Sequence, residues 1–209
     1  MVLLVEDSLT AGEAVRLICI TSGARLRRAD CIESARRHLR IYRPDVAIVD
    51  MGLPDGDGAV LISELAQANP RTQTIIGLSA DPNRAKAAME AGADSFIEKP
   101  LNSIAGFQSA ILMNLPHHHR PMDIRLLPDL AFEADQRALQ EDVVHALELL
   151  NNHEKAGAQS DYLAPFIAGV ARTASDPTLE RAAEQYSNTQ NRSDLRAALT
   201  DFLAEKIAV

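Results

Sequence analysis

The chain has 209 residues, 46% hydrophobic and 24% charged, which is long enough for one large domain or two small ones, each with its own core. No apolar run reaches membrane-spanning length and no secretory leader pattern follows Met1, so a cytoplasmic, membrane-free setting is expected. The net charge of −8 is uneven: residues 1–119 carry 12 Lys and Arg against 14 Asp and Glu, residues 120–209 carry 9 against 15, and so acidic a second half is poorly suited to gripping a polyanion.

In chain order, the first half alternates short apolar runs with helical periods, the pattern of parallel strands joined by crossover helices. Strands are predicted at Val2–Val5, Arg25–Ala29, Val46–Asp50, Thr74–Leu78 and Ser95–Glu98, and helices near 10–21, 32–42, 59–69, 83–91 and 102–114. Arg25, Arg27 and Arg28 make the second strand polar, which suits a sheet edge where charge discourages stray pairing. The two cysteines, Cys19 and Cys31, fall inside these patterns with neither metal nor redox spacing, and are expected to be reduced thiols.

The stretch from Asn114 to Pro121 reads as a linker, placed at 116–121: Pro116 and Pro121 bracket His117, His118, His119 and Arg120 and oppose a continuous helix. Adjacent histidines on a loop do not supply the separated, converging ligands of a built metal site. From 122 onward the periods are helical. Leu139, Val143, Ala146, Leu147 and Leu150 share one face, Leu163, Phe166, Ile167, Val170, Ala171 and Ala174 another. Further stripes run through Leu179, Ala182, Ala183 and Tyr186, and through Leu195, Ala198, Leu199, Phe202, Leu203 and Ile207. Asp176 before Pro177 is a strong helix start, with a weaker one at Asn191 and Asp194. A small all-helical bundle over 122–209 is predicted, one that can complete its core by forming a homodimer.

In an open parallel sheet, ligands bind where the loops after the strand carboxyl ends converge. The residues ending the predicted strands are Glu6 and Asp7, then Asp50, Ser79 and Lys99. Taken by itself, Asp7 with Ser8 could simply cap the helix that follows. Three carboxylates at one rim, however, repel one another unless a cation intervenes, and Mg2+, which takes oxygen ligands and is shared with phosphate, fits them best.

Residues 1–115 resemble the receiver domain of bacterial two-component response regulators, in the segments VLLVEDS, PDVAIVDMGLPDGDG, IIGLSA and AGADSFIEKP. The resemblance implies an α/β fold, a doubly wound, flavodoxin-like five-stranded parallel sheet of order 2-1-3-4-5. It implies Asp50 as phosphoacceptor, and Glu6, Asp7, Asp50 and the Met51 backbone carbonyl as ligands of Mg2+. It further implies Lys99 as the partner of the phosphoryl group, Ser79 as the switch hydroxyl, Phe96 as the switch aromatic and a cis Lys99–Pro100 bond. A sensor histidine kinase or histidine phosphotransfer protein would be the donor. Glu6 stands where aspartate is frequent, Ser79 where threonine is more usual, and Phe96 lacks a tyrosine hydroxyl; an aromatic there also suits plain core packing.

The resemblance stops at the second half. Its acidity and apolar stripes favour an output module for protein interaction or dimerisation, with an unknown downstream protein as partner. A DNA-binding output would draw on Gln190, Asn191, Arg192 and Arg196, with Asp194 among them. A phosphotransfer bundle would use His145, yet Glu148 lies one turn on, and His153 reads as a helix end or loop. No motif of an enzyme follows residue 120, so phosphoacceptor and autodephosphorylation chemistry at Asp50 is all that is expected.

Overall fold

The structure is a computed structural model that describes residues 1–101, 103–115, 135–151 and 160–207. Its contacts divide the chain into two compact units: Met1–Asp7 with Ala11–Glu133, and Ser8–Thr10 with Ala134–Val209. The expected linker at 116–121, the start of the second domain at 122 and His153 lie outside the described residues.

The first unit is a sheet covered on both faces. Its strands are β1 (Val2–Val5), β2 (Leu26–Ala29), β3 (Val46–Asp50), β6 (Thr74–Ser79) and β7 (Ser95–Glu98), all parallel, in the order β2-β1-β3-β6-β7. Counting these five alone gives the predicted order 2-1-3-4-5. A second, two-residue antiparallel pair, β4 (Gly52–Leu53) with β5 (Gly56–Asp57), follows β3 and was not anticipated in a segment rich in turn formers. The helices are α1 (Leu9–Thr21), α2 (Ile32–Ile41), α3 (Gly58–Gln67), α4 (Arg84–Ala91) and α5 (Ile104–Asn114).

β1 and β3 are buried at every position, as parallel strands between two helical layers must be. Alternation sorts their side chains. Leu3, Val5, Ala47, Val49 and Ile75 join Ile32, Ala35, Leu61, Ile62, Leu65 and Ala88 in one core. Val2, Leu4, Val46, Ile48, Ile76 and Leu78 join Val15, Ile18, Cys19 and Phe107 in the other. β2 is indeed an edge, paired only with β1, and begins at Leu26 rather than Arg25.

Acidic side chains fix where two of the helices start. Asp57 accepts from the Ala59 amide at the head of α3, and Asp55 takes the Ile32 and Glu33 amides at the head of α2. At the end of α4, Gly92 adopts φ +107 to close the helix, and a side chain there would also meet Ala66 at 2.6 Å.

Cys19 is 2% exposed and burial pushes its thiol up to about 11, while Cys31 is half-buried with its sulfur accepting from the Ser34 amide. Because the native thiol holds its proton beyond the ordinary 9.0, its contribution to stability is present below pH 9 and is lost as pH climbs toward 11, about 3 kcal/mol in all. In a thiol-reagent time course near pH 8, Cys31 should label first and Cys19 only after denaturant is added. Equal labelling of both in the native protein would contradict this packing.

The second unit contains α6 (Gln136–Asn151), α7 (Ser160–Thr173), α8 (Pro177–Thr189) and α9 (Arg192–Ile207). α6 packs on α7 and α9, and α8 on the same two, so the described helices close a four-membered bundle. Its core follows the predicted stripes: Leu139, Val143, Ala146 and Leu150, then Leu163, Ile167, Val170 and Ala171, then Leu179, Ala183 and Tyr186, then Leu195, Leu199 and Phe202. The Asp176 carboxylate accepts from the Thr178 and Leu179 amides with Pro177 in the first turn, as anticipated. Among the described residues no helix is long and apolar enough to cross a membrane.

Candidate functional site

Parallel strands deliver their last residues to the same edge, and the sequence places three acids on two of those ends. Glu6 and Asp7 follow β1, Asp50 closes β3, Ser79 closes β6 and Lys99 follows β7. One ligand atom from each of Glu6, Asp7 and Asp50 lies within 4.8 Å of the others. Lys99 Nζ sits 2.6 Å from Glu6 Oε2 and 2.7 Å from Asp50 Oδ2, bridging the two. All of this is sheltered: Glu6 is 0% and Asp50 7% exposed, and the Lys99 side chain 12%.

Electrostatics follows from that burial. Loss of water pushes the Glu6 carboxyl well above the usual carboxylate range; Lys99 pulls it back, while Asp50 and Asp7 push it further up. Burial disfavours the charge on Lys99, yet Asp50 and then Glu6 outweigh it and raise the ammonium above its ordinary value. Lys99 is therefore a fixed cation. With all three acids ionised, one ammonium leaves two negative charges to be met. An all-oxygen donor set of that charge is suited to a hard divalent ion such as Mg2+.

The surrounding backbone is tied down. Lys99 N donates to Ser79 O at 2.8 Å, Met51 N to Leu78 O at 2.9 Å, and Gly52 N to Asp50 Oδ1 at 3.2 Å. Ser79 is buried and its hydroxyl accepts from the Asp81 amide at 3.1 Å. The Lys99–Pro100 bond is cis, and so is Asn69–Pro70. Phe96 is half-buried against the core that contains Met51 and Ala88. Beneath it Gly77 leaves room that a side chain would take, since a β-carbon there would stand 3.2 Å from the Phe96 ring and 2.8 Å from Ala88.

Two arginines at this rim were not anticipated as part of it. Arg84, first residue of α4, donates from Nη2 to the Met51 carbonyl at 3.2 Å and to Asp57 Oδ1 at 2.5 Å. Arg28 on β2 reaches the carbonyls of Glu6 and Asp7. Both contacts span more than twenty residues, so no local pattern announces them.

In the second unit, the polar residues considered for nucleic-acid contact are engaged locally. Gln190 ends α8 in a left-handed conformation, Asn191 caps α9 by accepting from Ser193 N and also donates to Asp194, and Arg192 donates to the Leu150 carbonyl at the end of α6. Arg196 is exposed. His145 is half-buried, edge-on to Phe166 with ring centroids 5.9 Å apart.

A family model described as the response regulator receiver domain matches residues 2–110. The KDP operon transcriptional regulatory protein KdpE of Escherichia coli is 30% identical over 117 residues, covering 56% of this chain and 52% of its own, so the chain spans about half the length of that relative. The transcriptional regulatory protein KdpE of Staphylococcus aureus is 24% identical over 189 residues, covering 85% of this chain and 82% of its own. Among solved structures, the signal receiver domain of a signal transduction histidine kinase from Syntrophus aciditrophicus superposes with a TM-score of 0.51 at 30% identity, covering 61% of this chain and 98% of that one.

Proposed function

From a chain that belongs to the response regulator receiver domain family, we propose a phosphoryl acceptor that takes its phosphoryl group on Asp50 and passes the change to the helical unit. The observation that carries this reading is the cluster of buried Glu6 and Asp50 with half-buried Asp7 at the strand ends, Lys99 bridging the first two. A carboxylate oxygen of Asp50 attacks the phosphorus of a donor phosphohistidine on a sensor kinase or phosphotransfer protein. The P–N bond breaks, its electrons leave with the imidazole, and an acyl phosphate forms on Asp50. Glu6, Asp7, Asp50 and the Met51 carbonyl would hold Mg2+, which when bound offsets charge on the transferring oxygens. Lys99 supplies a permanent positive charge beside Glu6 and Asp50.

Ser79 then hydrogen-bonds a phosphoryl oxygen and Phe96 turns into the space it leaves, altering the surface near β7 and α4. Water attack on the acyl phosphate returns the chain to its starting state, the only turnover assigned to it. The setting is cytoplasmic.

The helical unit serves as a module for interaction with a downstream protein or for homodimerisation. A second reading, a transcriptional regulator, is favoured by one observation: the alignment with the Staphylococcus aureus regulator extends over most of this chain. The net charge of −6 over residues 120–209 and the local engagement of Gln190, Asn191 and Arg192 weigh against it. The test is incubation with a small acyl phosphate donor, with and without Mg2+, followed by intact mass and peptide mapping. One phosphoryl group on Asp50, absent in chelator, is expected; labelling elsewhere, or none, would overturn the reading. Gel shift of the phosphorylated chain against genomic DNA fragments separates the two outputs, with no salt-sensitive, sequence-selective shift expected.

A further inference from the structure

We propose that Arg28 is a positioning residue for the acid cluster, a role that rests on reading the cluster as the Mg2+ site. The β1–β2 ladder ends at Val5 opposite Ala29, with Glu6 N donating to Ala29 O at 2.9 Å. Beyond that point the guanidinium of Arg28 takes over, Nε donating to the Glu6 carbonyl at 3.0 Å and Nη2 to the Asp7 carbonyl at 2.8 Å. These belong to the two residues that bring two of the three clustered carboxylates. A planar guanidinium presents its donors in a fixed fork, so two consecutive carbonyls held by one fork lock the peptide between them. Charge assistance makes each such bond stronger than one between neutral groups.

A second observation, on another element, points the same way. Gly12 lies inside α1, where glycine costs about 1 kcal/mol relative to alanine and so calls for a reason. A β-carbon there would stand 3.0 Å from Arg28 Cζ and Nε and 3.2 Å from Nη1. The helix surface is flattened where the guanidinium lies across it. Arg28 is thus clamped between the α1 backbone and the loop that presents Glu6 and Asp7. A residue that looks from sequence like one more edge-strand charge instead serves the chemistry next to it.

Groups that orient metal ligands typically contribute ten- to a hundred-fold to metal affinity. Magnesium titration by calorimetry on the full chain should therefore show about ten-fold weaker binding or worse for Arg28→Ala. Gly12→Ala, which leaves Arg28 in place but crowds it, should weaken binding in the same direction. Arg28→Lys keeps the charge without the fork and should fall between wild type and Arg28→Ala. Arg27→Ala removes an equal charge from the exposed neighbouring position and should leave affinity unchanged. Melting curves without Mg2+ check that each variant is folded, and the Gly12 and Lys variants carry the test if Arg28→Ala is not. Wild-type affinity in both Arg28→Lys and Gly12→Ala, or an equal loss in Arg27→Ala, would overturn the proposal. Failure of the wild-type chain itself to bind Mg2+ would instead sink the reading on which it rests.

Discussion

Asp50→Asn protein mixed with a small acyl phosphate donor and Mg2+ should gain no phosphoryl group on a timescale that saturates the wild type, a loss of at least about 100-fold in rate. The substitution replaces the attacking carboxylate with an amide of nearly the same shape, so the strand end is preserved while the nucleophile is gone. Lys99 keeps Glu6 as its counterion at 2.6 Å, which guards against a trivial loss through unfolding. Intact mass and a phosphate-affinity gel read the result, and circular dichroism confirms that the variant is folded. Undiminished phosphorylation of Asp50→Asn would remove the central residue of the proposed chemistry.

The second large effect concerns Gly58, the first residue of α3. A β-carbon built there falls 1.9 Å from the Asp50 carbonyl oxygen, 2.9 Å from its carbon and 3.0 Å from Met51 Cα. Those are backbone atoms and no rotamer change can clear them. Gly58→Ala should cost about 3 kcal/mol or more, beyond the usual range for overpacking because the obstacle is main chain. It should also disturb the Gly58 N to Met51 O bond and, with it, the loop bearing the acceptor. Gly52→Ala is the matched control: nothing lies within 4 Å of its β-carbon position, and a change within about 0.5 kcal/mol is expected. Urea unfolding of both variants settles the comparison. Equal stabilities would mean that α3 can move away from β3 at little cost.

These two glycines also mark the limit of what the sequence discloses. Gly52, Pro54, Gly56 and Gly58 together read as a segment built to bend, and that is correct for Gly56, which adopts φ +154. Nothing in the letters distinguishes Gly58, whose role is contact with a strand end eight residues earlier. The strands themselves were legible because β-branched runs such as VAIVD and TIIGLS have no helical period. The rim followed from topology, since knowing which residues end parallel strands suffices to bring Glu6, Asp7, Asp50, Ser79 and Lys99 to one edge. The helix start at Asp176 was legible because a cap acts within its own turn. Arg28 and Arg84 were not: Arg28 acts on carbonyls, which carry no residue identity, and Arg84 reaches Met51 and Asp57 across more than twenty-five residues. The paired β4 and β5 were hidden for a simpler reason: two residues per strand are too few to show alternation.

Alternation along β3 has an outcome for how such a chain can vary. Val46 and Ile48 enter one layer, Ala47 and Val49 the other, and Asp50 stands where the same two-residue beat places it. Adding or losing a single residue within those five would invert both layers and turn the acid to the wrong side at once. A one-residue insertion or deletion in β3 therefore costs the core and the acid position together.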